Sequence, residues 1–139
     1  MYTTNMNQRI IDMLTRLAID NPGVQGRFKM AAGIVFRKHL VATGVNSYKS
    51  HPLMYEWGKN EDSIFLHAEI DAIKNALKLI TPQQLSKCDM YIVRVKRKSP
   101  SNRAYVHGLA KPCPGCKRAI ANFNLRNVYW TEDYEIDTN

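Results

Sequence analysis

Apolar residues recur at helical spacing from Met6 to Asp20, where Met6, Ile10, Ile11, Leu14, Leu17 and Ala18 form one stripe. Asn7, Arg9, Asp12 and Arg16 fill the opposite side, and Asn21-Pro22-Gly23 ends the predicted helix. Two short apolar runs follow, Ala31 to Phe36 and Leu40 to Val45. The polar break Arg37-Lys38-His39 between them predicts a β-hairpin. Positions 46–63 are polar and irregular, a length of loop that commonly carries function. From His67 to Ile80 the helical spacing returns, with Ile70, Ile73, Ala76, Leu77 and Ile80 on one face, and Thr81-Pro82 closes it. Met90 to Val95 predicts a strand and 96–111 a second polar loop. Cys113 to Asn124 predicts a helix entered through Pro112, with Cys116, Ala119, Ile120 and Phe123 in register. Asn127 to Trp130 reads as a last strand before an acidic tail, in which Tyr134 to Ile136 leaves room for a short strand. With no repeat, linker or low-complexity tract, the alternation predicts one α/β domain over residues 1–139.

Charge narrows the range of partners. Lys and Arg number 20 against 12 Asp and Glu, a formal net charge of +8. That balance suits anions, either nucleotides or polynucleotides, although solubility alone also explains it. Arg94, Lys96, Arg97, Lys98 and Arg103 hold much of the excess, and strand alternation would put some of them on a solvated face. No run of eighteen apolar residues predicts a membrane span, and the first residues lack a secretory pattern. Three cysteines, two of them in one motif, fit a reducing compartment, so the cytoplasm is the expected location.

The chemistry concentrates in His67-Ala68-Glu69 and in Pro112-Cys113-Pro114-Gly115-Cys116. One imidazole and two thiolates are a common zinc donor set, and two cysteines three positions apart can grip one ion from a single helical turn. Three protein ligands without an evident fourth describe a catalytic Zn2+ with a position open to water. Glu69 follows the histidine by two residues and suits a proton shuttle. Both motifs fall at predicted helix starts, where partial positive charge favours thiolates. Taken singly, His67 is also a polar helix-start residue, Glu69 a first-turn carboxylate and the cysteines small buried groups. Their pairing on the right elements is what distinguishes a metal site.

H-x-E followed by P-C-x-x-C resembles the signature of the zinc-dependent cytidine and deoxycytidylate deaminase superfamily. Histidine as first ligand places the chain nearer the deoxycytidylate, tRNA-adenosine, guanine and polynucleotide deaminases than the free-cytidine enzymes. The resemblance runs from the first helix to Trp130. It implies a three-layer α/β/α fold, a central mixed β-sheet with helices on both faces. It also implies His67, Cys113 and Cys116 as zinc ligands, Glu69 as the shuttle, and the backbone at Ala68 against the pyrimidine. Asn46 matches an asparagine that contacts sugar or base edge, with an ordinary turn residue as the alternative. His51 in Lys49-Ser50-His51-Pro52 closes over the site or caps a turn. Arg27, Lys29, Lys49, Arg103 and Lys111 are candidates for a 5′-phosphate, each also readable as a solvated charge. Larger relatives continue past the last strand with a further helix and strand, for which the nine residues after Trp130 leave no room.

The expected activity is hydrolytic deamination of a cytosine nucleotide, dCMP to dUMP plus ammonia, by a homo-oligomer. Two other readings stand beside it. One is a deaminase of single-stranded DNA or tRNA, using basic loops and Tyr48, Tyr55, Trp57 and Tyr105. The other is a non-catalytic zinc module, which needs Cys88 or His107 as fourth ligand.

Overall fold

The computed structural model describes residues 7–21, 29–47 and 67–134. Arg27, Lys49 and His51, with Tyr48, Tyr55 and Trp57, lie outside the described residues. Four helices and five strands are described in the order α1 (Gln8–Ile19), β1 (Lys29–Phe36), β2 (His39–Val45), α2 (Ala68–Ala76), α3 (Pro82–Leu85), β3 (Asp89–Ser99), β4 (Asn102–Gly108), α4 (Pro114–Asn122) and β5 (Val128–Trp130). The sheet order is β2-β1-β3-β4, with β5 also paired to β3. All pairings are antiparallel except β3 with β5, so the sheet is mixed, as expected.

Residue alternation sorts the strands into two cores. Ala31 and Val35 of β1, with Tyr91, Val93 and Val95 of β3, pack with Ile10, Ile11, Leu14 and Ala18 of α1. Ala32, Ile34, Met90 and Ile92 face the other way, towards Ile70, Ile73 and Ala76 of α2 and Ala119 and Ile120 of α4. Both faces of β1 and β3 are therefore covered, which is why these strands are apolar runs rather than alternating ones. The arrangement is the three-layer α/β/α fold that the resemblance implied. No helix among the described residues is long and apolar enough to cross a membrane.

Several local details differ from the sequence expectation. The polar stretch 96–111 contains strand: β3 continues to Ser99 and returns as β4, with Arg97 opposite Tyr105 and Lys96 opposite Val106. Among the described residues β1 pairs β3 as far as Val95, and Arg97, Lys98 and Arg103 further along the hairpin are exposed. The first hairpin turns on two residues, Arg37 (φ 49°) and Lys38 (φ 70°), the left-handed pair of a type I′ turn. The helix expected to reach Ile80 stops at Ala76, and α3 follows. Thr81 caps α3 by accepting from the Gln84 amide at 3.1 Å, while Gln84 Oε1 accepts from the Thr81 amide at 2.8 Å, a capping box.

Two features position the site. The outer edge of β2 is satisfied by α2: Asp71 Oδ2 accepts from the Val45 amide at 3.0 Å, and Asn75 Nδ2 donates to the Thr43 carbonyl at 2.8 Å. Gly44 lies between those residues, and α2 rests on it backbone to backbone. On the other side of the sheet, β5 and β4 share one edge of β3. The buried Thr131 joins them there. Its hydroxyl donates to the Gly108 carbonyl at 2.7 Å and accepts from the Arg94 amide at 3.2 Å, and its carbonyl accepts from the Ala110 amide at 2.9 Å.

Candidate active site

α2 and α4 begin side by side, and their starts carry the two motifs. His67 is the N-cap of α2 and Cys113 the N-cap of α4, whose first residue is Pro114. Proline suits that position because its missing N–H would be unpaired there in any case. Cys113 Sγ accepts from the Cys116 amide at 3.5 Å, as a capping oxygen would. The two helix N-termini thus converge on one point with their partial positive charges.

At that point His67 Nδ1 lies 3.3 Å from Cys116 Sγ and 3.5 Å from Cys113 Sγ. The three ligand atoms all fall within 4.8 Å of one another. Tetrahedral zinc with ordinary bond lengths sets N and S donors about 3.6 Å apart and two sulfurs about 3.8 Å apart. One imidazole and two thiols gathered this closely form a donor set suited to Zn2+. Neither Cys88 nor His107 adds a fourth ligand. Cys88 is buried and its Sγ donates to the Gln84 carbonyl at 3.4 Å. His107 lies on the α1 side, 3.0 Å from Thr15 Oγ1. The four-ligand structural site that a non-catalytic module requires is therefore not assembled from either residue.

The electrostatics suit metal uptake. The Cys113 thiol falls to about 3, chiefly because Cys116 donates to it, with His67 and the Cys116 amide adding to the effect. Cys116 moves upward for the converse reason, its bond to the Cys113 thiolate, with burial and the neighbouring Glu69 adding. Zinc binds thiolates, so metal uptake here is coupled to proton release. Glu69 is 3% exposed beside this cluster. Burial raises its carboxyl above the usual range, while the backbone bond and His67 oppose that shift. A buried carboxyl raised in this way holds a proton more readily than a surface glutamate does.

The remaining candidates separate. Ala68 is fully buried, and its carbonyl faces Gly44. Asn46 follows the last residue of β2, next to the Val45–Asp71 contact. Lys29 Nζ donates to the carbonyls of Ile19 (3.0 Å) and Asn21 (3.4 Å), closing the C-terminus of α1, which occupies it structurally. Arg103 stands at the turn end of the β3–β4 hairpin, about 17 Å along the strand from Gly108. Lys111 is exposed one residue before Pro112. Gly44, Asp71 and Asn21 escaped the sequence reading; Asp71 and Asn21 act through hydrogen bonds to backbone, which leave no periodic signal.

Comparison with known proteins agrees with this geometry. The family model for the cytidine and deoxycytidylate deaminase zinc-binding region matches residues 4–132. The chain belongs to that family and is a zinc-dependent hydrolytic deaminase. Among solved structures, the dCMP deaminase of cyanophage S-TIM5 in complex with dCMP and dUMP is similar at 17% identity and a TM-score of 0.59, over 98% of this chain and 88% of that one. Guanine deaminase from Bacillus subtilis is similar at 24% identity and a TM-score of 0.57, over 92% of this chain and 66% of that one. These likenesses establish the shared fold. No curated protein sequence matches.

Proposed function

We propose that the enzyme deaminates a cytosine mononucleotide, converting dCMP and water to dUMP and ammonia. The observation that carries this reading is the convergence of His67, Cys113 and Cys116 beside the buried carboxyl of Glu69. When bound by these three residues, zinc supplies Lewis acidity that lowers the pKa of water to about 7. Glu69 takes the proton from the attacking water and passes it to N3 of the ring. It then takes the remaining proton from the hydroxyl now on C4 and delivers it to the departing amine, which leaves as ammonia as the C4 carbonyl forms, so that one carboxyl serves as base and acid in turn. Asn46 holds the sugar or base edge, and the Ala68 backbone lies against the ring. The choice of dCMP is supported by the 88% coverage of the phage enzyme crystallised with dCMP and dUMP. Assembly into a homo-oligomer is part of the same proposal.

The metal assignment is checked first. Wild-type protein is expected to carry about one zinc per chain, and Cys116→Ala to retain less than a tenth of that by metal analysis, with a lower Tm. Full occupancy in that variant would refute the ligand set.

Substrate class is tested by ammonia release from dCMP, deoxycytidine, CMP, guanine and short single strands. For dCMP, a basic side chain must meet the 5′-phosphate. Charge-assisted contacts contribute about 1.5–3 kcal/mol, so removing the true partner lowers kcat/KM for dCMP by about tenfold to a hundredfold and barely alters deoxycytidine. Lys111→Ala, Arg27→Ala and Lys49→Ala are the variants to compare. Equal wild-type efficiency on dCMP and deoxycytidine would reject phosphate recognition.

One observation favours a polynucleotide instead. Positions 94–108 contain five Lys and Arg residues (Arg94, Lys96, Arg97, Lys98 and Arg103) and no acidic residue. Arg97, Lys98 and Arg103 are exposed on the β3–β4 hairpin. A steep fall of oligonucleotide binding with salt would support that reading.

A further inference from the structure

Arg94 stands on the catalytic side of the sheet. Side chains alternate along β3: Met90 and Ile92 face α2 and α4, while Tyr91, Val93 and Val95 face α1. Arg94 therefore projects on the side that carries the zinc ligands. Across the strands it lies opposite Met30 on one side and Gly108 on the other. Met30 in turn bonds Asn46, which Asn21 holds from the end of α1. Asn46, Met30, Arg94 and Gly108 thus form one row.

Both helix starts come down over that row. Asp71 of α2 bonds Val45 and Asn75 bonds Thr43, so four residues of helix, about 6 Å, match two of strand, about 7 Å, in opposite directions. His67 lies four residues before Asp71, hence about 6 Å past Val45 and over the row. α4 gives the same answer from the other side. The chain leaving it is pinned beside Met90, whose amide donates to the Asn127 carbonyl at 2.8 Å. The 9 residues of α4 run back about 13.5 Å, and Met90 to Arg94 is about 13 Å of strand. Cys113 therefore begins α4 at the level of Arg94.

The Arg94 side chain is aimed by its neighbours. A Cβ on Gly108 would lie 3.1–3.3 Å from Arg94 Cδ, Nε and Cγ, so the stem crosses the one residue with no side chain to obstruct it. Nη1 donates to the Leu109 carbonyl at 3.4 Å, on the segment that leads to Cys113. Lys96, the next residue on this side of β3, is drawn off by Asp133, with which it pairs at 3.0 Å. Lys96 and the Leu109 amide hold the Asp133 carboxyl below its usual range, and the charge of Arg94 adds to that effect.

We infer that Arg94 reads the 5′-phosphate of the substrate and so sets the preference for a nucleotide over a nucleoside. The inference deepens the dCMP proposal and rests on it. A guanidinium stays charged at any working pH, and its planar fork of N–H donors matches two phosphate oxygens. Arg94 presents that fork from a paired strand beneath the helix starts, whereas Lys111 stands exposed outside the sheet.

The measurement is kcat/KM for dCMP divided by kcat/KM for deoxycytidine, a ratio that loss of packing alone does not move. Arg94→Gln is expected to lower it about tenfold to a hundredfold, chiefly through KM for dCMP, with deoxycytidine within about threefold of wild type. Glutamine keeps a donor for the Leu109 carbonyl and lacks the charge. Arg94→Lys keeps the charge without the fork, so it should recover part of the ratio and still fall at least about threefold short of wild type. That variant decides the matter where Arg94→Gln does not fold. Equal losses on both substrates, or a wild-type ratio in the variants, would overturn the inference while leaving phosphate recognition to another residue. A wild type equally efficient on dCMP and deoxycytidine, or inactive on both, would reject the dCMP reading and the inference with it.

Discussion

Replacing Glu69 by Gln is expected to lower turnover by about 10²- to 10⁴-fold while zinc content and substrate binding persist, as measured by kcat beside metal analysis and equilibrium binding. Glutamine preserves the volume of the side chain and one carbonyl acceptor. It cannot take up and release a proton, and deamination needs two moved, one from water to the ring nitrogen and the other from the new C4 hydroxyl to the amine. The site is otherwise unchanged by the substitution, because the side chain is 3% exposed and packed between the two helix starts. Burial raises its carboxyl above the usual range, while the backbone bond and His67 oppose that shift. A loss of less than tenfold would assign proton transfer to another group.

Gly44→Ala is expected to damage both stability and metal binding, although the residue touches neither substrate nor metal. A Cβ there would lie 2.6 Å from the Ala68 carbonyl oxygen and 2.6 Å from the Asp71 carbonyl carbon, and would overlap the Ala72 nitrogen. All three are backbone atoms of α2, so no rotamer change relieves the clash and the helix must move away from β2. Overpacking of this kind costs about 3 kcal/mol or more, which for a chain of this size lowers Tm by about 10 °C. The retreat of α2 would also separate His67 from Cys113 and Cys116. Soluble Gly44→Ala protein with wild-type Tm and full zinc would show that the close approach is dispensable.

The chemistry of this site was legible because it resides in local spacing. H-x-E and P-C-x-x-C each occupy one helical turn, so their residue types and intervals are visible before any fold is known. The two-faced apolar runs of β1 and β3 likewise announced buried strands. What stayed hidden depends on partners distant in the chain. The β3–β4 hairpin carries exposed charge past Val95, so alternation offered no guide, although Ser99-Pro100-Ser101-Asn102 was a turn signal in plain view. α3 was announced by Thr81 and Gln84 at capping-box spacing and was read only as a stop. Asn21 looked like punctuation after a helix, and its buried bonds to Asn46 exist only once β1 and β2 have paired.

The junction at Thr131 has a consequence for how the cysteines are delivered. Gly108 and Thr131 are tied together at 2.7 Å, so the chain leaves the sheet after Gly108, carries the cysteines through residues 109–127 and returns as β5 beside its point of departure. The cysteine-bearing segment is thus a closed excursion whose ends are already fastened. Closure entropy grows only with the logarithm of loop length, and here the fastening is done by sheet hydrogen bonds rather than by the metal. Chelation then has little chain left to order, and one loop can be lengthened or exchanged while the histidine half of the site stays where α2 puts it.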